Sequence, residues 1–113
     1  VRSGKRADKL VLRDGSRVLV LDPAEIRWIQ AEGDYLRIHE GRKSQLVRHT
    51  MTAMESQLDP AQFARIHRST IVNVGQVREV RPDGDRLYRV VLKDGTLLRT
   101  SRGYRDRIVR SIP

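Results

Sequence analysis

The stretch IRWIQAEGDYLRIH, residues 26 to 39, decides the fold. In its second half Leu36 and Ile38 alternate with Tyr35, Arg37 and His39, one apolar face and one polar face at the two-residue period of a strand. Ile26 to Ala31 forms the preceding strand, and Glu32-Gly33 supplies the turn between them. The region is therefore a β-hairpin with one face set to be buried.

The same pattern extends outward in both directions. Upstream, Lys9 to Arg13 and Ser16 to Leu21 read as strands joined by the strong hairpin signal Asp14-Gly15, and Asp22-Pro23-Ala24-Glu25 is a turn. Downstream, Gly41 turns the chain into a strand over Lys43 to His49. Met51 to Leu58 is a helix: Met51, Met54 and Leu58 fall at i, i+3 and i+7, Thr52 and Glu55 match a capping box, and Asp59-Pro60 stops it. Thr70 to Val74 and Gln76 to Val80 are short strands. Pro82-Asp83-Gly84-Asp85 then turns back into Arg86 to Lys93, and Asp94-Gly95 makes a tight hairpin into Thr96 to Thr100. Tyr104, Ile108 and Ile112, four apart, predict a final helix with Ser101 as its N-cap. About nine short strands and two helices predict a mainly β fold: small antiparallel sheets packed as an elongated sandwich, with one short internal helix and a C-terminal helix.

A chain of 113 residues and 13.0 kDa with 38% apolar content suits one domain with one core. Residues 1–8 are polar and read as a linker remnant, so the domain is expected over residues 9–113. The opening residues lack the apolar stretch of a signal peptide. Runs such as Val18 to Leu21 and Val90 to Leu92 are too short to cross a bilayer, so no membrane contact is expected. Cysteine is absent, which removes disulfides and thiol chemistry and fits a reducing cytoplasm.

Charge is more informative. Lys plus Arg number 23 against 14 Asp plus Glu, a formal net charge of +9. That field favours polyanions, nucleic acid ahead of an anionic membrane. Arginine predominates, and its planar fork suits phosphates and guanine edges better than an ammonium.

Enzyme readings find little support. The glycines sit singly at turns, with no phosphate-binding run. His39, His49 and His67 lack metal-ligand spacing, and no cofactor is implied. Asp83 and Asp85 read as solvated turn carboxylates. Among nucleic-acid readings, the helix over Met51 to Leu58 carries no Lys or Arg and is a poor recognition helix. Aromatic content is only 4%, and Trp28, Phe63 and Tyr104 are spaced like core residues, which disfavours stacking on single strands. What remains is duplex binding by basic side chains on loops and strand ends. Three clusters suit it: Arg37, Arg42, Lys43 and Arg48 around the Glu32-Gly33-Asp34-Tyr35 turn; Arg65 to Thr70, including His67, Arg68 and Ser69; and Arg99, Arg102, Arg105, Arg107 and Arg110 around the final helix. With Ser101 as cap, the free N–H groups of that helix and Arg102 would form a phosphate site.

Three ordered motifs carry a family resemblance. Ile26-x-Trp28-Ile29-x-Ala31-Glu32-Gly33-Asp34-Tyr35 resembles the opening signature of LytTR domains, the DNA-binding modules of the LytR/AlgR response regulators. Phe63-x-Arg65-Ile66-His67-Arg68-Ser69-x-Ile71-Val72-Asn73 resembles their central signature. Asp94-Gly95 followed by Ser101-Arg102-x-Tyr104 resembles the closing one. The resemblance runs from about Lys9 to the end of the chain. It implies a β-dominated fold that binds promoter direct repeats in double-stranded DNA through loops, behind a receiver or sensor domain, with a dimer on DNA. It implies base contacts from Tyr35, Leu36 and Arg37, from Arg68 and from Arg102. Leu36 cannot donate a hydrogen bond, so Arg37 or Lys43 is the substitute there. Lys43, Arg48, His67, Ser69, Arg99, Ser101 and Arg105 are the expected phosphate contacts. Two competing readings are a non-catalytic module docking an acidic protein, and a basic β-domain binding structured RNA.

Overall fold

The computed structural model describes residues 9 to 112, so the linker expected over residues 1–8 lies outside the described residues. The fold is mainly β, made of small antiparallel sheets with two helices, as the alternation predicts. It divides into two compact units, one running to Asp59 and one starting at Pro60.

The first unit holds β1 (Leu10–Asp14), β2 (Arg17–Leu21), β3 (Ile26–Glu32), β4 (Tyr35–Glu40), β5 (Lys43–Arg48) and α1 (Met51–Gln57). β1 and β2 form a hairpin, and β3, β4 and β5 an antiparallel meander. The loop between β3 and β4 is Gly33-Asp34, and Gly33 has φ +60°, a conformation an L side chain resists. Register fixes the faces of the meander. Ile29, Leu36, Ile38 and Val47 are buried, while Trp28, Gln30 and Glu32 line up with Tyr35, Arg37 and His39 on the other face. The β1–β2 turn is clipped to β5: the Asp14 carboxylate accepts the Arg48 N–H at 3.0 Å and the Arg17 guanidinium at 2.9 Å. Arg17 also donates to the Leu46 carbonyl at 2.7 Å. The Arg48 N–H first, and Arg17 second, hold the Asp14 carboxyl below its ordinary range.

The expected helix over Met51 to Leu58 is present, and Met51, Met54 and Leu58 are buried. Its cap is Thr50 rather than Thr52. The Thr50 hydroxyl accepts the Ala53 N–H at 3.1 Å, because helical backbone begins at Met51 and Thr52 already lies inside the first turn.

The second unit holds β6 (Phe63–His67), β7 (Thr70–Asn73), β8 (Val77–Pro82), β9 (Tyr88–Leu92), β10 (Leu97–Arg99) and α2 (Arg105–Ser111). β6 pairs with β7, and β9 lies between β8 and β10. β6 is the strand that sequence periodicity does not predict. Phe63, Ala64 and Ile66 are all buried, and a bulge between Arg65 and His67 breaks the two-residue rhythm. Asn73, at the end of β7, is buried and structural: its Oδ1 accepts the Gly75 N–H at 2.9 Å and caps a short 3-10 turn. Asp83 is likewise no free turn carboxylate, since Arg89 reaches it at 3.1 Å and Arg99 at 3.7 Å. Of the three aromatics spaced like core residues only Phe63 is buried. Trp28 stacks on His39 across the polar face of the meander, ring centroids 4.1 Å apart, and Tyr104 is half-buried.

Candidate nucleic-acid interface

The central and closing motifs meet in the second unit. His67, Arg68, Ser69 and Thr70 form the β6–β7 turn, which contains neither glycine nor proline. A histidine closes it instead. The His67 Nδ1 accepts the Ser69 N–H at 3.1 Å and lies 2.9 Å from the Ser69 hydroxyl. Both contacts fall on Nδ1, so the ring is tied to the turn through that one atom. Behind the turn, Arg65 donates from Nη2 to the Arg68 carbonyl at 2.6 Å. The backbone of Arg68 is thus fixed from two sides while its side chain is exposed.

The segment after β10 runs beside this turn. Thr100 is buried, exchanging hydrogen bonds with Tyr88: its hydroxyl accepts the Tyr88 N–H at 2.9 Å and its N–H donates to the Tyr88 carbonyl at 3.0 Å. The next residue crosses to β6, where the Ser101 N–H donates to the Ile66 carbonyl at 3.0 Å. Arg102 and Gly103 follow, both exposed. Ile66 stands two residues before Arg68, and Ser101 one before Arg102. One backbone hydrogen bond therefore sets the two arginine-bearing turns side by side.

Ser101 is not the helix cap that sequence spacing predicts. The Tyr104 N–H donates to the Ser101 carbonyl at 3.0 Å, so residues 101 to 104 form a separate turn and α2 begins at Arg105. Tyr104 occupies the cap position with no side-chain hydrogen bond there. Because Ser101 does not cap α2, the phosphate site expected from a Ser101-capped helix together with Arg102 is not formed. Around Tyr104 sit two cations: the Arg65 guanidinium carbon is 5.1 Å and that of Arg107 4.7 Å from the ring centroid. Arg105 is partly covered beside Asp106 at 3.7 Å, and Arg99 is mostly exposed beside Asp83.

In the first unit the opening motif is arranged less as a reader. Leu36 is 1% exposed and belongs to the core of the meander, so its side chain offers almost no surface for the expected base contact. Arg37 is engaged, with Nε 2.5 Å from Glu32 Oε2, Nη2 3.2 Å from Oε1 and Nη1 3.0 Å from the Ser44 hydroxyl. This pairing lowers the Glu32 carboxyl and raises the Arg37 guanidinium relative to their ordinary values. Tyr35 is exposed at the turn with the Arg48 guanidinium carbon 5.9 Å from its ring centroid. Lys43 is exposed at the start of β5. A groove of about 540 Å³ runs along this side, lined by Gly33, Asp34, Arg48, His49, Thr50 and Met51 among others.

The sequence reading placed Arg65 and Arg107 in its basic clusters without a named contact, and it read Tyr104 as core. The Tyr104-Ile108-Ile112 spacing made the ring look like core, and only the start of α2 at Arg105 frees it for the guanidiniums. Among the described residues no group of three or more His, Cys, Asp or Glu is placed to hold a metal ion, and no helix is long and apolar enough to cross a membrane.

Exposed arginines on the turns of a small β scaffold are the surface of a polyanion-binding class of protein. The chain belongs to the LytTr DNA-binding domain family, whose profile matches residues 16–112. It is 29% identical to the sensory transduction protein LytT of Bacillus subtilis over 96 residues, 85% of this chain and 40% of that protein. It is 34% identical to the CO-responsive transcriptional regulator RcoM of Rhodospirillum rubrum over 73 residues, 65% of this chain and 31% of that protein. The fold matches a LytTr DNA-binding domain from Bacillus cereus with a TM-score of 0.78 at 17% identity, covering 91% of this chain and 94% of that one. The chain spans about two fifths of the length of the LytT proteins it matches.

Proposed function

We propose that residues 9–113 are the effector domain of a bacterial transcription regulator, binding duplex DNA sequence-specifically through basic loops, with residues 1–8 as linker. The observation that carries this reading is the pair of exposed arginines, Arg68 and Arg102, on adjacent turns joined by the Ser101 N–H and the Ile66 carbonyl. Arginine pairs bidentately with guanine O6 and N7 in the major groove, and a fixed backbone limits the entropy lost when it does so. Lys43, Arg48, Arg99 and Arg105 set register on phosphates, with Ser69 and Ser101 in support. His67 serves the β6–β7 turn through Nδ1 first, which leaves Nε2 for a phosphate. In the first unit Tyr35 and Lys43 take the part that Leu36 cannot, while Arg37 reaches DNA only by leaving Glu32.

In the whole protein a receiver or sensor domain precedes this one, two copies occupy promoter direct repeats, and the setting is the cytoplasm. The LytT and RcoM relatives are described as sensory and as transcriptional regulators, which fits that arrangement. Selection of bound sites from a random duplex pool at near-physiological salt tests the reading, and a reproducible site is expected. Duplex RNA of the same sequence should compete poorly, since its deep, narrow major groove excludes side chains. Equal competition by RNA favours a structured-RNA binder. Binding with no sequence preference leaves only a basic surface, of the kind that docks an acidic protein.

A further inference from the structure

We infer that Tyr104 and Arg65 are positioning residues that lock the two arginine-bearing turns into one rigid reading unit. The inference rests on the proposed role of Arg68 and Arg102, and assigns a part to side chains that need touch no base. Tyr104 closes the turn that carries Arg102, through its N–H to the Ser101 carbonyl at 3.0 Å. Its ring packs against the Arg65 guanidinium, whose carbon is 5.1 Å from the ring centroid. Arg65 in turn donates to the Arg68 carbonyl at 2.6 Å. Ring, guanidinium and carbonyl thus run from one turn to the other. The Ser101 N–H to Ile66 carbonyl bond makes a second, independent bridge between the same two segments.

Arg107 lies 4.7 Å from the same ring centroid, so two like charges share one aromatic group. An aliphatic residue at position 104 would fill space there without gathering two cations. An aromatic ring offers its quadrupole to both and so holds Arg65 at a set distance behind the Arg68 backbone. The benefit falls on binding. A base-reading arginine on a loose turn loses rotational freedom when it docks, whereas one on a pinned turn has already lost it.

The test uses the 113-residue chain, the duplex it selects from a random pool, and a scrambled duplex of equal length. It is run at a temperature where melting curves show every variant folded. Tyr104→Phe keeps the ring and should keep the ratio of selected to scrambled affinity. Tyr104→Leu should lower that ratio about tenfold. Its salt slope should stay unchanged, because no cation has been removed. Arg65→Met should lower the ratio similarly, and the double variant should lose no more than the larger single loss. Should Tyr104→Leu fail to fold, Arg65→Met carries the test by itself.

A Tyr104→Leu protein that melts earlier but keeps its ratio would overturn the inference, and so would one that weakens both duplexes equally. Arg65→Met flattening the salt slope and adding to Tyr104→Leu would also overturn it, since Arg65 would then be a phosphate contact. Arg68→Ala runs alongside as control. If Arg68→Ala loses discrimination and Tyr104→Leu does not, the positioning role fails alone. If Arg68→Ala keeps discrimination, the reading role itself fails.

Discussion

Truncating Leu36 to alanine removes three carbons from a side chain that is 1% exposed and aligned with Ala31 on β3 and Val47 on β5. The transfer term for three buried carbons is about 2.4 kcal/mol, and the cavity left in a tightly paired meander raises the total to about 3 kcal/mol. For a domain of this length that corresponds to a fall in melting temperature of roughly 10–15 °C. Affinity per folded molecule, and the order of preference among duplexes, should not move, because the side chain faces the core. Thermal melts by circular dichroism give the first quantity. Binding titrations against a selected and a scrambled duplex, well below the lowered transition, give the second. A Leu36→Ala protein that melts like the parent but discriminates less would refute this, and would return Leu36 to the DNA-facing set.

Three further outcomes follow from the same geometry. His67→Ala deletes the acceptor that closes the β6–β7 turn and should cost about 1 kcal/mol in stability together with part of the sequence discrimination. His67→Asn, whose Oδ1 branches at the same position as Nδ1, should restore most of both; equal losses for the two variants would deny the turn role. Arg105→Ala should weaken binding to selected and scrambled duplexes alike and reduce the salt slope by about one, so a loss confined to the selected duplex would move Arg105 to the bases. The carboxyls of Asp14 and Glu32 are held below their ordinary values of 3.8 and 4.5, chiefly by the Arg48 N–H and by Arg37 respectively. A depressed carboxyl contributes stability that is present above its ordinary value and lost as pH falls through the lowered one. The melting temperature should therefore drop on acidification below those values, and Asp14→Asn should flatten part of that drop. Superimposable curves for parent and variant would exclude Asp14 as a contributor.

Hairpins were readable in the sequence because their turn chemistry is local. Asp14-Gly15, Glu32-Gly33 and Asp94-Gly95 each mark a hairpin turn that the backbone realises, with positive φ at all three glycines. The face of β4 was readable too, since Leu36 and Ile38 alternate and both are buried, although the family resemblance had put Leu36 among the expected base contacts. β6 was hidden because its bulge spoils the period and its turn uses a histidine acceptor in place of glycine. The two caps were misplaced for different reasons: Thr50 and Thr52 are the same residue type two positions apart, while residue type favours Ser101 over Tyr104 and the turn closed by the Tyr104 N–H on the Ser101 carbonyl overrides it. The partners of Arg65 and Arg37 depend on contacts between separate strands and turns, which spacing along the chain does not encode.

Arg68 offers the most direct test of the central claim, that loops on a β scaffold read the duplex. The measurement is the dissociation constant of the parent and of Arg68→Ala for every single-base-pair permutation of the selected site. Loss of a bidentate guanine contact predicts a cost of about 1–3 kcal/mol on the preferred site, with preference flattened at one position and unchanged elsewhere. A permutation profile identical to the parent's, or one lowered uniformly at every position, would contradict the account.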